Sequence, residues 1–77
     1  MKEQTNALNK ILSVIDEKAS RYKEERFDMR EAQSVSEKKL LFDLIDDALS
    51  LANQMNPKPV EAISDLNRLS HQLSGMH

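Results

Sequence analysis

Met55-Asn56-Pro57-Lys58-Pro59 is the stretch on which the architecture turns. Neither proline supplies a backbone N–H, and each disfavours helical conformation in the residue before it. A helix arriving from the N-terminal side must stop near Met55, and Pro59 suits the first turn of a new one. On both sides of this break the composition is helical. Ala, Leu, Glu, Lys, Gln and Arg dominate, the β-branched residues are scattered, and the single glycine is Gly75. No stretch alternates apolar with polar long enough to build a sheet. The expected fold is therefore all-α. It is a three-helix antiparallel bundle in one domain over residues 1–77, with a long first helix hairpinned onto the second and a shorter third helix.

Downstream of the break, a helix is predicted from Pro59 to Ser74. Ala62, Ile63, Leu66, Leu69 and Leu73 share a face about 120° wide, and Gly75 is a natural stop. This helix needs one groove to lie in. Upstream, a helix is predicted from Val35 to Met55, opened by Ser34-Val35-Ser36-Glu37. That tetrapeptide matches a capping box, with Ser34 accepting from the backbone and Glu37 reaching back. Leu40, Leu41, Leu44, Ile45, Ala48, Leu51, Ala52 and Met55, extended by Leu49, Phe42 and Val35, cover an arc of about 200°, twice what one neighbour requires. Such a helix must meet apolar partners on two sides.

The first helix is predicted from Glu3 to Glu31. Leu8, Ile11, Leu12, Ile15, Ala19, Tyr22 and Met29 fall on one face, and Leu8, Ile15, Tyr22 and Met29 are spaced seven apart, as in a coiled-coil seam. The companion series Leu12, Ala19, Arg26 loses its apolar character late. The charged stretch Arg21–Glu31 reads as a solvated, ion-paired face, and the periodicity leaves open whether the helix continues past Glu25. The expected linkers are Gln33–Ser36 and Asn56–Pro59.

These spans give helices of about 43, 31 and 24 Å. With short connections the third helix lies back along the second and runs out before it reaches the late part of the first. Tyr22, Phe27 and Met29, with Val35 and Phe42 on the second helix, are then left near the open end, and Leu49 continues the seven-residue spacing of Val35 and Phe42. All three aromatic residues of the chain are in that set. Either they form a small cap over the first turn, or they complete a protein-binding surface. The second reading makes them the expected partner-binding residues.

The chemistry-bearing residues are sparse. With 11 Lys+Arg against 13 Asp+Glu, the net charge of −2 is too balanced for a general nucleic-acid or anionic-membrane binder. There are no cysteines, so no disulfide framework or thiolate metal site is available. The longest continuous apolar run is Leu40-Leu41-Phe42, which supplies neither a membrane span nor a signal-peptide core. Asp43, Asp46 and Asp47 read as a solvated polar arc. His71 and His77 are isolated, whereas zinc needs three or four converging ligands. No nucleophile has a recognisable base. The expectation is a non-enzyme without metal or cofactor, working in a reducing cytoplasm.

Leu51-Ala52-Asn53-Gln54-Met55-Asn56 followed by Ile63-Ser64-Asp65-Leu66-Asn67-Arg68-Leu69 resembles a helix-turn-helix in outline. Ala52 stands where the first helix usually carries a small residue, and Leu51, Met55, Ile63 and Leu66 supply the inner face. The match needs one extra turn residue, and Asn56-Pro57 replaces the usual turn glycine. Glu61 and Asp65 oppose Arg68 and Lys58, so the segment offers few phosphate contacts. Leu69-Ser70-His71-Gln72-Leu73 is similar to the Ser-x-x-Leu-Asp signature of the small two-helix sporulation phosphatases. Ser74 stands where that family carries its acidic residue, so the activity does not transfer. The helix–Pro-turn–helix outline is similar in shape class to secretion-needle subunits and their chaperones.

The functional expectation is non-catalytic protein binding, as a small adaptor, inhibitor or assembly chaperone. It acts through an exposed apolar helix face on another protein or on a second copy of itself, with nucleic acid the less favoured partner and no role for a membrane. The alternative is a helix-turn-helix DNA-binding regulator.

Overall fold

The computed structural model describes residues 2–75, with side chains from Glu3 onward. His77 lies outside the described residues. Three helices follow in order: α1, Lys2–Glu25; α2, Glu31–Gln54; α3, Val60–Ser74. α2 packs on both α1 and α3, as the breadth of its apolar arc requires. Among the described residues no Cα of α1 comes within 8 Å of a Cα of α3. α2 is therefore the shared middle of two helix–helix interfaces. The particle measures 41 × 20 × 16 Å, little longer than a 24-residue helix.

The core is made of the stripes read from the sequence. Leu8, Ile15, Ala19 and Tyr22 of α1 are buried against Leu41, Ile45, Ala48 and Ala52 of α2 and Leu66 and Leu73 of α3. Ala48 and Ala52 have no exposed surface, and their small side chains sit on the helix that must accommodate neighbours on two sides. Ile11, Leu12, Leu44, Leu51, Ala62, Ile63 and Leu69 pack at its margin.

The first turn departs from expectation. α1 ends at Glu25 rather than Glu31, and α2 begins at Glu31 rather than Val35, so the two helices are of equal length at 24 residues each. The linker is Arg26–Arg30, not Gln33–Ser36. The Asp28 and Met29 amides donate to the Glu25 carbonyl, closing the end of α1 at 2.9 and 3.2 Å. Arg30 is the N-cap of α2 and makes no side-chain cap bond. The capping box at Ser34 therefore does not form. Ser34 lies inside the first turn, where its amide donates to the Arg30 carbonyl at 2.9 Å. Its hydroxyl shares a hydrogen bond of 3.3 Å with the Tyr22 hydroxyl across the hairpin.

The second turn is close to expectation. α2 stops at Gln54, and Met55–Pro59 joins it to α3. The Asn56–Pro57 peptide is cis. Pro59 takes the N-cap position, and its carbonyl accepts from the Ile63 amide at 3.0 Å. Gly75 ends α3 with φ −83°, so the stop does not use the left-handed region that favours glycine. α3 reaches further along α1 than its length suggested. The Lys23 ammonium donates to Gln72 Oε1 at 3.3 Å, near the end of α1. With Ala62 close to Leu8 and Leu12, this fixes α3 parallel to α1 and antiparallel to α2.

Candidate functional site

At the α1–α2 hairpin end, the Arg26–Arg30 turn rises beside the first turns of α2. A groove of about 440 Å³ lies there, floored by Tyr22 and Met29 and walled by Arg26, Glu31, Val35 and Lys38. The Tyr22–Ser34 hydrogen bond crosses its base. Tyr22 is only 2% exposed, so it belongs to the core and supports the groove instead of offering an open face. Met29 is half-buried and packed on the core. Val35 stands 63% exposed on the wall.

Phe27 protrudes from the turn with 81% of its surface exposed. The Arg26 guanidinium lies 4.5 Å from the centroid of its ring, within the range of a cation–π contact. That contact covers one ring face and leaves the rest to solvent. Arg26 Nε is itself buried without a hydrogen-bond partner. The groove thus offers a β-branched side chain and two cations, Arg26 and Lys38, against one carboxylate, Glu31, and the exposed Phe27 ring stands next to it.

The expected strip Val35–Phe42–Leu49 is not exposed along its length. Phe42 and Leu49 are half-buried and pack against the core. They sit about 10 and 20 Å along α2 from Val35, away from the groove. Of the six residues read as partner-binding, Tyr22, Met29 and Val35 meet around one groove and Phe27 stands next to it. Phe42 and Leu49 do not join them.

A second concavity was not anticipated. It lies between α1 and α3, where the two backbones stand apart. The signal was present in the carboxylates Glu61 and Asp65, spaced four apart beside the α3 stripe, and in Asp16 beside Leu12 on α1. Read helix by helix, these are ordinary solvated residues.

Asp43, Asp46 and Asp47 are exposed on α2, and His71 is exposed on α3. Among the described residues no three His, Cys, Asp or Glu side chains cluster so as to hold a metal ion. No described helix is long and apolar enough to cross a membrane. Comparison with known proteins finds no family model, no curated sequence and no solved structure that matches the chain.

Proposed function

We propose that this chain is a non-catalytic protein-binding module, an adaptor, inhibitor or assembly chaperone, that engages its partner through the hairpin end. The observation that carries the reading is the exposure of Phe27 beside an open groove. A large aromatic side chain contributes roughly 1.5–3 kcal/mol when fully buried, and at 81% exposure Phe27 leaves most of that uncollected in the free chain. Aromatic and arginine side chains are also the usual anchors of protein interfaces. Val35, Met29 and the Arg26 guanidinium extend the patch. The partner is another protein or a second copy of this chain, and the setting is the cytoplasm.

The test is a pull-down from the source lysate with wild-type bait beside Phe27→Asp and Val35→Asp, with bound proteins identified by mass spectrometry. A partner held by wild type and lost from both variants supports the reading. A partner held equally by all three baits refutes the assignment to the hairpin end. The helix-turn-helix alternative has less support. The would-be recognition helix itself carries Glu61 and Asp65, and Arg68 leans toward Asp65 at 3.9 Å. Binding of random duplex at low salt, released as salt rises, would favour it instead.

A further inference from the structure

The trough between α1 and α3 has the shape of a seat for a helix. Ile15 and Leu66 are buried beneath it, and Leu12, Ala62 and Leu69 form half-buried walls. Its volume is about 350 Å³, and it runs into a neighbouring hollow of about 380 Å³ through the shared residues Leu12 and Ala62. Together they extend from Thr5 to Asp16 along α1, about 17 Å, or roughly three helical turns. The Lys23–Gln72 hydrogen bond ties α1 to α3 beyond one end. The Pro57–Pro59 turn borders the other.

The charges around the seat are one-sided. Asp16 stands on the α1 rim, and Glu61 and Asp65 stand on the α3 rim. No lysine or arginine lines this half of the trough. Arg68 is 3.9 Å from Asp65, but both side chains are more than two-thirds exposed, so the pair is loose and screened. Lys58 lies at the far end, by the proline turn.

We infer that the α1–α3 trough receives a basic amphipathic helix of a partner protein. Its apolar face lies on Leu12, Ala62 and Leu69, and its lysines or arginines meet Asp16, Glu61 and Asp65. This surface is separate from the hairpin end, and the inference does not depend on the reading of Phe27. An apolar strip between parallel helices suits an i, i+3, i+4, i+7 pattern of anchors. The carboxylates on both rims select its polar flanks. A second copy of this chain is a poor occupant. Among the described residues its exposed large apolar side chains, Val14, Phe27, Val35, Leu40 and Val60, are scattered over the helices and the hairpin turn and form no strip.

The test is an NMR titration of the ¹⁵N-labelled full chain with two synthetic helical peptides. One carries leucine at i, i+3, i+4 and i+7 with lysine elsewhere, and the other has glutamate in place of lysine. The lysine peptide is expected to shift the amides of Leu12, Ile15, Ala62, Leu66 and Leu69 and to leave those of Phe27 and Val35 unmoved. The glutamate peptide should bind at least about tenfold more weakly. The triple variant Asp16→Asn, Glu61→Gln, Asp65→Asn should keep its helical melt and lose about tenfold in affinity for the lysine peptide. Equal binding of both peptides, shifts centred on the hairpin end, or no shift at all would overturn the inference. Trough shifts that follow protein concentration without any peptide would also overturn it and assign the seat to a second copy.

Discussion

Tyr22 separates two accounts of the hairpin end. If it belonged to a partner surface, truncating it would leave the free chain unchanged. The structure buries its ring to 2% exposure and bonds its hydroxyl to Ser34. Removing a buried aromatic side chain costs about 3–5 kcal/mol. A 77-residue domain has roughly 4–12 kcal/mol in all. Tyr22→Ala should therefore take away a large share of the stability, enough to leave the chain partly unfolded at 37 °C. Tyr22→Phe keeps the ring and loses one hydrogen bond, worth about 0.5–1.5 kcal/mol net. For a domain of this size each kcal/mol moves the melting temperature by about 4–8 °C. The phenylalanine variant should melt several degrees below wild type and the alanine variant far lower. The double variant Tyr22→Phe, Ser34→Ala should cost no more than the larger single change, because both remove the same bond. Circular dichroism melts of the five proteins, Ser34→Ala included, with urea titrations, measure this. A Tyr22→Ala protein that melts with wild type would refute the placement of Tyr22 in the core.

Phe27→Asp should leave the melt within about 0.5 kcal/mol of wild type, since the ring is mostly solvated; a larger loss would show that the turn depends on it. Ala48→Leu should destabilise by about 1–3 kcal/mol, because Ala48 is fully enclosed on the helix shared by both interfaces; a neutral melt would mean those interfaces are looser than described. Carbon secondary shifts should fall to coil values across residues 55–59, and continuous helical shifts from Leu40 to Leu73 would refute the three-helix architecture. Light scattering at tens of micromolar should give a mass above 8.8 kDa for wild type and the monomer mass for Phe27→Asp, if a second copy is what the hairpin end binds. A wild type that stays at 8.8 kDa would leave that surface to another protein.

The core was legible because it is periodic. Leu8, Ile15 and Tyr22, like Leu41, Ile45, Ala48 and Ala52, are placed by helical spacing alone, and the proline pair marks its own break. The first turn was not legible because nothing local makes it. Arg26–Arg30 contains no glycine or proline, and its charges read as a helix face. Ser34-Val35-Ser36-Glu37 has the pattern of a start but lies inside α2. Long-range pairing places the turn: Tyr22 must come opposite Ser34, so the chain reverses between them, ahead of the capping pattern. The six expected binding residues divided for the same reason. Spacing put Tyr22, Phe42 and Leu49 on apolar faces, but only the packed bundle shows which of those faces are already covered. The trough was invisible in the sequence because it depends on the distance between two helices that are not neighbours in the chain.

The position of α2 between α1 and α3 also bears on how the chain folds. Each close interface joins helices that are consecutive in sequence, through connections of five residues. No long loop has to close before native contacts form. Topologies of such low contact order fold in microseconds to milliseconds. The α1–α2 hairpin needs only the Arg26–Arg30 turn to reverse, and α3 then docks on a surface that already exists. Shortening α3 should therefore raise the unfolding rate much more than it slows folding, while a change at Ile15 or Leu41, which the first hairpin must bury, should slow folding itself.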